Sequence, residues 1–175
     1  MSPSSSSSSP SLLPKELWET VLSYLSHHDH EATSLSSRNF LSITNKLFTS
    51  LTISNQALPF LSALLLRFPN LTSIKLAPSI SFPTNILLTT IASFHLPLLH
   101  SLDLTRESSS LEHQHGFSGF HGKFPYLKSL NCFHMGELSR DDLLLIPRAF
   151  PNLEELDLSF VTLVHTLAHT FTFLT

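Results

Sequence analysis

"FPNLTSIKL" (68–76) decides how the larger part of this chain is read. Its order is apolar, Pro, any residue, Leu, two further residues, then apolar, any, apolar. The same order returns as "LPLLHSLDL" (96–104), "FPYLKSLNC" (124–132) and "FPNLEELDL" (150–158). Leu71, Leu99, Leu127 and Leu153 therefore stand 28, 28 and 26 residues apart, with proline at one fixed offset in all four copies. A repeat at this period predicts a stack of similar units, each burying an apolar face against the next. "LFTSLTI" (47–53) reads as a degenerate first strand. The intervening stretches "LPFLSALLLRF" (58–68), "NILLTTIASF" (85–94) and "DDLLLIPRAF" (141–150) are apolar enough to pack behind the strands. Ser139, with Asp142 three residues on, has the spacing of a helix cap for the last of them. "TRESSSLEHQHGFSGFHGK" (105–123) is polar and is expected to form a loose loop.

Over about residues 51–165 the pattern resembles the leucine-rich-repeat family. The resemblance implies an α/β solenoid, with parallel strands on a concave side and helices or turns on a convex side. Four to five repeats would occupy residues 51–175, the last incomplete. Side chains alternate along a strand, so Ile74, Leu102, Leu130 and Leu156 are expected in the core. Three columns are expected on the concave face: Thr72, His100, Lys128, Glu154; Ser73, Ser101, Ser129, Glu155; and Lys75, Asp103, Asn131, Asp157. Of these, Lys75, His100, Asp103, Lys128, Asn131, Glu155 and Asp157 are the candidate target-binding residues. The columns mix both signs and turn acidic at the last copy, which favours a protein partner with some basic character over nucleic acid. Residues 160–175, "FVTLVHTLAHTFTFLT", would expose apolar surface unless they fold back as a cap or belong to a longer receptor.

Ahead of the repeats, "LLPKELWETVLSYL" (12–25) carries Leu17, Trp18, Val21, Leu22 and Leu25 as a wide apolar stripe after a helix-opening proline. Glu16 and Glu19 sit near the positive end of its dipole. "SHHDH" (26–30) is expected to break this helix, with short helices following at about 30–36 and 38–48; Phe40, Ile43, Thr44 and Leu47 share one face of the last. So small a three-helix unit rarely sustains its own core, so its stripe needs a partner or the end of the repeat stack to cover.

Leu13, Pro14, Glu16, Leu17, Val21, Leu22 and Leu25, followed by Ser34, Leu35, Arg38 and Phe40, resemble the F-box family over residues 12–50. Where that family commonly has Val-Cys before the basic residue, this chain has Ser36-Ser37. The resemblance implies a docking surface for a Skp-type adaptor, and through it a cullin scaffold, made by Leu13, Pro14, Glu16, Leu17, Val21, Leu22, Leu25, Leu35 and Phe40. F-box followed by leucine-rich repeats resembles the non-catalytic substrate receptors of SCF-type ubiquitin ligases, plant members in particular. The alternative is a stand-alone or truncated repeat module that binds protein without a ligase role.

Bulk properties narrow the remaining classes. The chain has 175 residues, a net charge of -3 and only 13% charged residues, with no basic stripe for nucleic acid or anionic lipid. Four glycines and no GxGxxG or GxxxxGK[ST] pattern disfavour a nucleotide-phosphate loop. No apolar run reaches the ~18 residues of a membrane span. The single cysteine, Cys132, is expected to be a buried structural thiol and fits a reducing compartment, cytoplasm or nucleus. The groups His27, His28, Asp29, His30 and His113, His115, His121 read as solvated turn residues rather than metal ligands, and no cofactor or catalytic set is expected. Residues 1–11, "MSPSSSSSSPS", read as a disordered low-complexity tail.

Overall fold

A computed structural model describes residues 14–80, 83–106, 117–134 and 137–164. The Ser-rich tail, Leu13, most of the polar loop and residues 165–175 lie outside the described residues. The chain divides into two compact units, Met1–Leu47 and Phe48–Thr175.

The first unit has three helices: α1 (Lys15–Ser23), α2 (His27–Ser36) and α3 (Arg38–Leu47). The Pro14 carbonyl opens α1 by accepting the N–H groups of Leu17 and Trp18 at 3.1 and 3.3 Å. The "SHHDH" stretch does end α1, but it is not a turn: its histidines form the first turn of α2. Ser26 Oγ accepts from Asp29 N at 3.3 Å and donates to Asp29 Oδ2 at 2.6 Å, an N-cap that satisfies orphan amides. Ser37 does the same for α3, accepting from Phe40 N at 3.2 Å. The serine that departs from the family pattern is thus the residue that separates α2 from α3. Leu22, Ile43 and Thr44 are buried, and Trp18 meets Phe40 edge-to-face at 4.9 Å.

The second unit is built on a parallel sheet of five strands in the order β1 (Ser50–Ile53), β2 (Ser73–Leu76), β3 (Ser101–Asp103), β4 (Ser129–Asn131) and β6 (Glu155–Asp157). Its register follows the repeat: Ser73, Ser101, Ser129 and Glu155 align, as do Ile74, Leu102, Leu130 and Leu156, and Lys75, Asp103, Asn131 and Asp157. The fixed proline has a clear job. Leu99, Leu127 and Leu153 donate N–H to the carbonyls of Leu96, Phe124 and Phe150. Each closes a four-residue turn with proline at its second position, where a fixed φ is already suitable. Helices α4 (Leu61–Arg67), α5 (Thr84–Ala92) and α6 (Arg140–Ala149) fill the crossovers, with a short 3₁₀ turn, Leu58–Phe60, before α4. Ser139 and Asp142 form a full capping box on α6.

Two expectations are corrected here, and one pairing is new. Leu156 does not fill the core: it is 45% exposed, whereas Ile74, Leu102 and Leu130 are at most 1% exposed. It lies on the end strand of the sheet and is not among the side chains that pack against the core cluster. The end of the polar loop is not loose: Phe117–Phe120 is a 3₁₀ turn that sends two rings into the core against Phe124 and Phe150, at 5.2–6.3 Å between centroids. A second parallel pair, unforeseen, joins β5 (Glu137–Ser139) to β7 (Thr162–Val164). No helix among the described residues is long and apolar enough to cross a membrane.

Candidate partner-docking surfaces

Helix α1 and its C-terminal turn carry two apolar ridges, and only one is used internally. Trp18, Leu22 and Leu25, at i, i+4 and i+7, are half-buried, buried and half-buried. Leu17, Val21 and Tyr24 share the same spacing about 100° further round the helix. They are 49%, 50% and 84% exposed. Leu22 therefore belongs to the unit's own core, at 4% exposure, and is removed from the surface expected for the adaptor. Leu25 and Phe40 are also partly covered. Pro14, Glu16, Leu17, Val21 and, on α2, Leu35 at 87% exposure remain accessible. Tyr24 joins this surface although its motif position had not marked it; its spacing from Leu17 and Val21 was the available signal. A small three-helix unit that shows Leu17, Val21, Tyr24 and Leu35 to solvent has more apolar surface than its own fold can use.

Residues 10–49 match the F-box domain. F-box proteins are generally adaptor subunits without chemistry of their own, and an F-box suggests a substrate-recognition role in an SCF-type ligase. The match ends before the second unit's sheet begins. A comparison with curated proteins finds no match to the chain.

In the second unit, the outer face of the sheet carries the expected columns, but much of their charge is already engaged. Lys75 Nζ lies 3.2 Å from Asp103 Oδ2, and Lys128 Nζ lies 2.7 Å from Glu154 Oε1. The third column also has a local task. Asp103, Asn131 and Asp157 accept the backbone N–H two residues on, from Thr105, Phe133 and Ser159, at 3.0, 2.9 and 2.8 Å. These Asx turns close the end of each strand. Partial burial raises the Asp103 carboxyl, but hydrogen bonds from Thr105 and the Lys75 ammonium outweigh it and hold its pKa below the usual value. The hydrogen bonds of Ser159 hold Asp157 low as well. Glu155 is exposed, and His100 is half-buried at the strand entrance. Three of the candidates, Asp103, Asn131 and Asp157, are thus turn-formers before they are ligands for anything else.

Among the described residues, no group of three or more His, Cys, Asp or Glu side chains could hold a metal. His113 and His115 lie outside the described residues. His30 Nε2 lies 2.6 Å from the Leu22 carbonyl, tying α2 to α1. Cys132 is buried, and burial, aided by the Asp157 and Asp103 charges, pushes its thiol up to about 12, far from a nucleophile's range.

Proposed function

We propose that this chain is a substrate-recognition subunit of an SCF-type ubiquitin ligase. Its F-box docks a Skp-type adaptor, and its second unit is a short leucine-rich-repeat solenoid that holds a protein target. The domain boundary falls near residue 50. The chain supplies no catalytic group. It acts by tethering, which raises the effective concentration of target lysines near the ubiquitin donor. The adaptor contacts are Leu13, Pro14, Glu16, Leu17, Val21 and Leu35, with Tyr24 beside them and Leu25 and Phe40 at the margin. The target contacts lie on the outer sheet face, and cytoplasm or nucleus is where such a complex works.

The observation that carries the proposal is the F-box match on a unit whose second apolar ridge is exposed among the described residues. The in-register strands at 28- and 26-residue spacing support the repeat assignment. Affinity purification of the full chain, scored for adaptor, cullin and target peptides, tests it. Adaptor and cullin together with a reproducible third protein are expected. Adaptor without any third protein would favour a module that occupies the adaptor and delivers nothing; neither adaptor nor cullin would end the proposal.

A further inference from the structure

A groove lies along the strand-entry edge of the second unit's sheet, apart from the column of Asx turns. Two hollows of about 410 and 390 Å³ share Tyr126 as a lining residue. One runs between residues 93–97 and 122–126, the other between His100, Lys128 and residues 152–154. Each is of the size of a ligand-binding cleft. The repeated turn builds it. The residue after each fixed proline sits at the outer corner, which leaves Tyr126 57% exposed and its counterpart Leu98 43% exposed. The groove passes across β3, β4 and β6, two strand spacings or roughly 10 Å, about three residues of extended chain.

Its charge is one-sided. Lys123 lines the first hollow with no ionic partner among the described residues. Lys128 lines the second; Glu154 takes one of its three donors, and an ammonium keeps two more. His95 and His100 add two ring nitrogen pairs, and Glu154, already engaged, is the one carboxylate among the lining residues. A carboxylate entering here meets donors in both hollows, whereas a cation meets Lys123 with no carboxylate among the residues that line the first hollow.

We infer that this groove binds an acidic, extended segment of a protein partner, with an apolar side chain over Tyr126 and carboxylates at Lys123 and Lys128. This deepens the target-binding proposal and rests on it for the partner's role as a target. The groove is complementary to acid, the opposite of what the acidic end of the outer sheet face led the sequence to suggest.

The test is to pan a random ten-residue peptide library on the full chain and titrate the enriched peptides by fluorescence anisotropy. Enriched peptides should be net acidic with an apolar residue between acids. Lys123→Glu and Tyr126→Ala, both exposed and so neutral to folding, should each weaken them at least tenfold. Arg148→Gln, exposed on α6 and lining neither hollow, should leave them unchanged. Basic or neutral winners, no enrichment, or winners indifferent to Lys123→Glu and Tyr126→Ala overturn the inference. Adaptor capture measured on the same preparations separates its failure from failure of the ligase proposal, because the groove variants leave the F-box untouched.

Discussion

Phe120→Ala tests whether the end of the polar loop is core. The Phe120 side chain has no solvent exposure and lies 5.2, 5.6 and 6.2 Å from the rings of Phe124, Phe150 and Phe117. Truncation removes a whole ring from among three others that are themselves fully buried, so the site collapses poorly. Phe-to-Ala changes in such cores cost about 3–5 kcal/mol, transfer and cavity together. For a unit of this size, each kcal/mol moves the melting temperature by roughly 3–4 °C, so a drop of roughly 10–20 °C is expected. Urea and thermal unfolding followed by far-UV circular dichroism measure both quantities. A loss below ~1 kcal/mol would mean that the segment is a loose loop, and that the ring cluster contributes little.

Two further outcomes follow from the site chemistry. Asp103 has a lowered folded pKa, so its stabilisation is fully present above about pH 4 and is lost as pH falls below the unfolded value towards the folded one. Asp103→Asn, which still accepts the Thr105 hydrogen bonds, should flatten the acid limb of the stability–pH curve; an unchanged limb would deny Asp103 that role. Cys132, with its thiol pushed up to about 12, should resist a maleimide reagent at pH 7.5 and react once urea unfolds the chain. Fast labelling of the native protein would contradict its burial.

The repeat made the sheet legible because each copy specifies both a turn and a strand. Proline fixes the turn, and the alternating apolar residues after Leu71, Leu99 and Leu127 fix which way the strand faces. Equivalence between copies says nothing about what packs over the last of them, so Leu156 was placed by analogy and is in fact exposed. The helices of the first unit were found by their apolar spacing, but stripe width hid a division of labour. Leu22 and Val21 are neighbours in sequence and face opposite environments, and only the position of α3 decides which is inside. Two misses had signals in plain sight. Ser26 and Asp29 have the same cap spacing that was recognised at Ser139 and Asp142, yet adjacent histidines suggested a turn. Phe117 and Phe120, one 3₁₀ turn apart, lie within the stretch 105–123 whose polar composition reads as a loop. The groove around Tyr126 could not be foreseen, since its walls come from three copies whose variable positions carry no shared pattern.

The adaptor interface is the central claim, and calorimetric titration of the full chain with a Skp-type adaptor tests it most directly. Leu17 and Val21 are about half exposed, so each has roughly 1 kcal/mol of apolar burial still to gain from a partner. Replacing both by Asp removes that gain and forces two carboxylates into the interface, which should weaken binding at least a hundredfold while the melting temperature holds. Undiminished binding by a folded Leu17→Asp, Val21→Asp chain, or no binding by the native one, would contradict the account.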